Sequence, residues 1–97
     1  MEASAFLRQL AQGQVNKAVC ALEVITDHSL LETLIEGLKH SKAGVRFASA
    51  RVLEQVSEWA PEALYPHFAL FVRLLDQENR IVQWEAARIL GHLVGGG

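Results

Sequence analysis

Val82-Gln83-Trp84-Glu85-Ala86-Ala87-Arg88-Ile89-Leu90-Gly91-His92-Leu93 reads as one helix, with two small residues at its centre and bulky aliphatic residues around them. Shifted back 37 positions, the pattern returns as Val45-Arg46-Phe47-Ala48-Ser49-Ala50-Arg51-Val52-Leu53-Glu54-Gln55-Val56. A fainter copy lies a further 31 positions back, Gln14-Val15-Asn16-Lys17-Ala18-Val19-Cys20-Ala21-Leu22-Glu23-Val24-Ile25. A helix that recurs at such intervals marks a helical repeat array, in which each unit buries its apolar face against the next.

The segments between these copies complete the units. Phe6, Leu7 and Leu10 fall at helical spacing, and Gly13 stands where that first helix would stop. The second helix is expected from about Gln14 to Thr26, with Ala18, Leu22 and Ile25 on its inner side. Ser29-Leu30-Leu31-Glu32 has the form of a capping box opening a third helix, whose Leu30, Leu31, Leu34, Ile35 and Leu38 share a face. Gly37 costs that helix about 1 kcal/mol relative to alanine unless close packing needs the missing side chain. Ser41 is the expected cap of a fourth helix from Lys42 to about Trp59. Pro61 and Pro66 bracket a short turn of helix or 3₁₀ structure, and Pro66 suits the start of a fifth helix carrying Phe68, Phe71, Val72, Leu74 and Leu75. Asn79 is the expected cap of a sixth helix, from Arg80 to about Val94.

Under the 37-residue shift Leu31, Leu34, Ile35 and Leu38 fall on Phe68, Phe71, Val72 and Leu75, so the first helix of each unit repeats as well as the second. The expected architecture is therefore all-α: three antiparallel helix pairs over about residues 2–27, 29–59 and 61–94, one domain, with a flexible 95–97 tail. At 100° per residue, Val45, Ser49, Val52, Leu53 and Val56 form the core stripe of the fourth helix. The small residues Ser49 and Ala50, and Ala86 and Ala87, would let neighbouring helices approach closely.

Composition excludes several classes. Nine basic and eleven acidic residues are interspersed, for a net charge of −2, so the basic block of a dedicated nucleic-acid binder is missing. No apolar run approaches the ~20 residues of a membrane helix, and the N-terminus lacks the pattern of a signal peptide. The single cysteine, Cys20, has no internal disulfide partner. The cytoplasm is the expected compartment.

The second and third units resemble HEAT repeats, through Val45-Arg46, Ser49-Ala50 and Leu53 in one and Val82, Ala86-Ala87 and Leu90-Gly91 in the other. Gln83 replaces the usual arginine, Glu54 and Glu23 stand where glycine is common, and no aspartate precedes Val45. The resemblance covers about residues 14–94. It implies a short right-handed α-solenoid of HEAT-like or armadillo type, a scaffold with many uses and no fixed chemistry. It also implies that the second helices line a concave surface. There an aromatic followed four residues later by arginine occurs twice, as Phe47/Arg51 and Trp84/Arg88, with Glu54 alongside and with Asn16, Cys20 and Glu23 as the first unit's equivalents. Aromatic and arginine side chains are enriched at binding hot spots, which makes Phe47, Arg51, Glu54, Trp84 and Arg88 the candidate binding residues. The competing reading packs Phe47 and Trp84 against neighbouring segments and pairs the arginines with Glu54 or Glu85. Arg46 is expected to tie loops together.

No catalytic constellation, cofactor motif or metal-ligand spacing is legible. His28, His40, His67 and His92 are scattered and read as surface residues. Glu32/Glu36 and Glu54/Glu58 are carboxylate pairs one helical turn apart without a pocket to shift either. Cys20 has no activating neighbour. The expected function is a non-enzymatic interaction or scaffold module whose concave face docks a protein or peptide. The alternative is a structural subunit that self-associates through exposed terminal repeats. Nucleic-acid binding by a basic concave face is the less favoured reading, because Glu54, Glu58 and Glu85 offset Arg51 and Arg88.

Overall fold

The computed structural model describes residues 3–14, 16–76 and 80–95. They form α1 (Ala3–Ala11), α2 (Lys17–Thr26), α3 (His28–Gly37), α4 (Ala43–Trp59), α5 (Phe68–Leu74) and α6 (Arg80–Gly95), with 3₁₀ turns at Pro61–Ala63 and Tyr65–His67. Among the described residues no strand occurs. The expected all-helical class is met, and so is the order of the helices. The expected Asn79 cap and most of the glycine tail lie outside the described residues.

Helix ends follow local hydrogen bonding. Gly13, at φ 77°, adopts the left-handed conformation that stops α1 without a Cβ penalty. Asn16 caps α2, its side chain accepting from the backbone N–H of Ala18 and Val19 at 2.9 and 3.1 Å. The capping box expected at Ser29 is displaced by two residues. Asp27 caps α3, accepting from the Ser29 and Leu30 N–H groups and from Ser29 Oγ at 2.8 Å. Those hydrogen bonds, led by the Ser29 hydroxyl, hold the Asp27 carboxyl below its usual range. A carboxylate outcompetes a hydroxyl for the helix N-terminus because it also answers the dipole. Ser41 likewise does not cap α4. Lys42 occupies that position, and its N–H donates to His40 Nδ1 at 3.0 Å.

The α3–α4 loop is closed by Arg46, whose guanidinium donates to the carbonyls of His40 and Ser41 at 2.7 and 3.0 Å. Gln83, at the equivalent position of α6, donates to the Leu75 carbonyl at 3.1 Å and so ties α6 to the end of α5. The departure from arginine at Gln83 therefore keeps the function of the position.

Helix α4 is the centre of the molecule: α6, α2, α1 and α3 all pack on it. Leu53, Val52, Val56 and Ala50 are almost wholly buried there, with Leu10, Leu34, Leu64, Phe71, Val82 and Ile89 contributed by its neighbours. Gly37 marks the tightest approach. A β-carbon at Gly37 would collide with Ser49 Oγ and stand 3.1 Å from Leu7 Cδ2, so α1, α3 and α4 meet at this point. Close packing does need the missing side chain.

The N-terminal third departs from the sequence reading. Helices α3–α4 and α5–α6 pack as pairs, but α1 and α2 pack chiefly on α3 and α4 rather than on each other. The stripe expected to face inward on α2 does not: Ala18 is exposed, Leu22 is 57% exposed and Ile25 is half-buried. Cys20, Ala21 and Val24 are the buried residues instead. Cys20, expected on the outer face, is thus in the core. With α1 filling the groove beside Ser49 and Gly37, α2 meets α4 through a different face from the one the 31-residue alignment selects.

Candidate functional site

The site is built on the outward ridge of α4 and the matching side of α6. At 100° per residue, Phe47, Arg51, Glu54 and Glu58 fall within one exposed arc of α4. The flank of that arc nearest α1 carries Gly44 and Ala48, with Gly44 close to Ala11. Its opposite flank receives α6. Arg51 Nε lies 4.0 Å from Glu85 Oε1, and Glu54 Oε2 lies 3.0 Å from His92 Nε2.

The structure places the five expected binding residues differently from one another. Phe47 is half-buried against the core and, with Arg51, Ala11, Lys17, Gly44 and Ala48, lines a cleft of about 300 Å³ between α4 and the N-terminal helices. Its ring is therefore largely a packing group. Arg51 is two-thirds exposed and faces Glu85, which is itself buried. Glu54 is mostly covered by α6 through His92. Trp84 is 70% exposed. It borders a shallow depression with Leu75, Gln83 and Ala87. Arg88 is exposed on the same helix. The two aromatic–arginine pairs are alike in sequence, but the first faces other parts of its own chain and the second faces out.

The asymmetry extends to the small residues. On α4 the buried arc includes Ala50 and Ser57, at 1% and 0% exposure. Their equivalents 37 positions on are Ala87, which is exposed, and Val94, which is 73% exposed. The expectation that Ala87 lies in a dry seam is therefore wrong. Ala50 is buried on the flank of α4 next to the Arg51–Glu85 and Glu54–His92 contacts with α6, whereas Ala87, on the same flank of α6, is left exposed by the described residues.

Three side-chain groups escaped the sequence reading. Glu85 is buried, and its Oε2 has no hydrogen-bond partner among the described residues. The second group is Glu54, Glu58 and His92, which each place one potential ligand atom within 4.8 Å of the others. The sequence reading takes the four histidines as scattered because i, i+4 spacing compares residues on one helix, whereas Glu54 and Glu58 lie on α4 and His92 on α6. The repeat itself carried the signal: His92 minus 37 is position 55, next to Glu54. His28 and His67 also converge, both on Glu32 Oε1, at 3.3 and 3.7 Å. Burial raises the Cys20 thiol to about 11, with Glu23 adding to the shift, so it is no nucleophile at neutral pH.

No family model matches the chain, and comparison with curated proteins and with solved structures finds no match to either.

Proposed function

We propose that this chain is a short helical-repeat module of the HEAT-like solenoid type that binds another protein and catalyses no reaction. The outer flank of α6 supports this reading best. Ala87, Arg88, Gly91 and Val94 repeat the register of Ala50, Arg51, Glu54 and Ser57, the flank of α4 on which α6 itself docks. What α4 offers to α6, α6 offers to a partner. The binding surface is thus moved from the concave ridge as a whole to its C-terminal end, with Trp84 and Arg88 as its anchors and Leu75 beside them. Phe47, Arg51 and Glu54 form the inner copy of that surface and are engaged within the molecule.

The fitting partner segment is an amphipathic helix resembling the inner face of α6: apolar residues at the spacing of Val82, Ala86, Ile89 and Leu93, and a carboxylate at the place of Glu85 to meet Arg88. Trp84 buries only a minor part of its ring within the chain, whereas a large, rigid aromatic anchor contributes much to an interface. Affinity capture with the wild type and with Trp84→Ala/Arg88→Glu tests the proposal. Loss of specific partners from the double variant is the expected result, and identical partner sets contradict it.

A second copy of the chain is the other reading that an observation favours. Phe68, Val72, Leu75, Ile81 and Val94 are exposed on α5, its C-terminal end and α6, and Val19 and Leu22 are exposed on α2. A head-to-tail contact between these faces would propagate rather than close. Nucleic-acid binding has little support, since Arg51 faces a buried carboxylate and shares its ridge with Glu54 and Glu58. No helix of the described residues is long and apolar enough to cross a membrane.

A further inference from the structure

The geometry points to a divalent transition-metal site, of the zinc class, at Glu54, Glu58 and His92, where α4 and α6 meet. Glu54 and Glu58 are one turn apart on α4 and project from the same arc; His92 reaches them from α6. One ligand atom from each lies within 4.8 Å of the others, and the Glu54–His92 pair is already at 3.0 Å. Ligands on arms of ~2.0–2.2 Å around zinc stand roughly 3–3.5 Å apart, so small rotations of the exposed Glu58 side chain complete the set.

The donor set selects the class of ion. Two carboxylate oxygens with one imidazole nitrogen suit zinc, cobalt or nickel. Calcium and magnesium take oxygen donors in larger number. Three protein ligands leave at least one coordination position to water, and the exposure of Glu58 and the partial exposure of His92 leave room for it. Gln55 Nε2 donates to Glu58 Oε2 at 3.3 Å and orients that carboxylate from outside the set. Two carboxylates one turn apart repel each other, and Glu54 is largely covered by the helix that supplies His92. A cation shared by the three neutralises that local excess and ties α4 to α6.

The site is distinct from the partner-binding flank, and its failure would leave that reading intact. The other histidine-containing group is built differently: His28 and His67 both direct Nε2 to one oxygen of Glu32, so the carboxylate is the centre rather than a ligand beside them. It serves as the internal control.

The test is calorimetric titration of the full-length, chelator-treated chain with zinc chloride, repeated with cobalt chloride while the visible absorption of bound cobalt is followed. The expected result is one equivalent bound by the wild type and by His67→Ala. His92→Ala and Glu54→Gln should each weaken binding by about tenfold or more, and magnesium should give no response. Circular dichroism establishes that each variant is folded; Glu58→Gln, a change at an exposed residue, provides the same readout should His92→Ala fail to fold. Absence of zinc binding by the wild type overturns the proposal. So does binding that His92→Ala and Glu58→Gln leave unchanged, or binding that is lost in His67→Ala instead, which would show adventitious capture elsewhere on the surface.

Discussion

Gly37 and Ser49 show how much a single missing atom group can decide. Alanine at Gly37 would gain about 1 kcal/mol in helix propensity, yet its β-carbon would collide with the Ser49 hydroxyl at a point where three helices meet. Overpacking of a closed core costs about 1–3 kcal/mol, so steric cost wins. Gly37→Ala is expected to destabilise the protein in chemical denaturation. Ser49→Gly in the same chain should recover part of the loss, because Ser49 Oγ has no hydrogen-bond partner among the described residues and its removal forfeits none there. Equal stability of Gly37→Ala and wild type would contradict the packing. Glu85 is the opposite case, a buried carboxylate with one unpartnered oxygen near an exposed arginine. Its place on the α4–α6 contact is a cost that the pairing with Arg51 offsets only in part.

At the scale of the helix, the comparison between α4 and α6 separates periodicity from environment. Their sequences align residue by residue, and Val45, Ala48, Ser49, Val52 and Val56 are buried just as Val82, Glu85, Ala86, Ile89 and Leu93 are. Periodicity alone marks that common stripe. The extra buried arc of α4 at Ala50 and Ser57 comes from a neighbour, and the helix's place among the others decides whether a neighbour is there. Identical substitutions should therefore have different effects. Ala50→Leu overpacks a buried contact and is expected to cost about 1–3 kcal/mol, whereas Ala87→Leu falls on open surface and should stay within about 0.5 kcal/mol of wild type. Thermal or denaturant melts compare the two directly. A matched loss in both would mean that Ala87 is covered after all.

For the whole molecule, the all-helical class, the six helices and the pairing of α3 with α4 and α5 with α6 were legible, because apolar spacing reports which side of a helix meets other residues. The orientation of α2 was not. Ala18, Leu22 and Ile25 have acceptable helical spacing, but so do Cys20, Ala21 and Val24, and the choice was made by α1 settling against Ser49 and Gly37. The candidate site was half legible. Arg51, Glu54, Trp84 and Arg88 lie on the expected ridge, Phe47 leans into the core, and His92 joins the ridge only once α6 is laid against α4. Caps misled for a local reason: Ser29 and Ser41 are good capping types, yet Asp27 reached one helix N-terminus first and Lys42 closed the other without its side chain.

These scales converge on one claim, that the outer flank of α6, uncovered among the described residues, copies the flank on which α6 docks. A charge-exchange titration tests it most directly, with a peptide carrying residues 80–95, its own Trp84 replaced by Phe, added to the full chain while the chain's Trp84 fluorescence is read in a Trp59→Phe background. The account predicts saturable binding that shifts Trp84 emission, is lost on Arg88→Glu, and returns when the peptide's Glu85 is changed to arginine. Binding that ignores the sign at position 88, or no response of Trp84 at saturation, would contradict it.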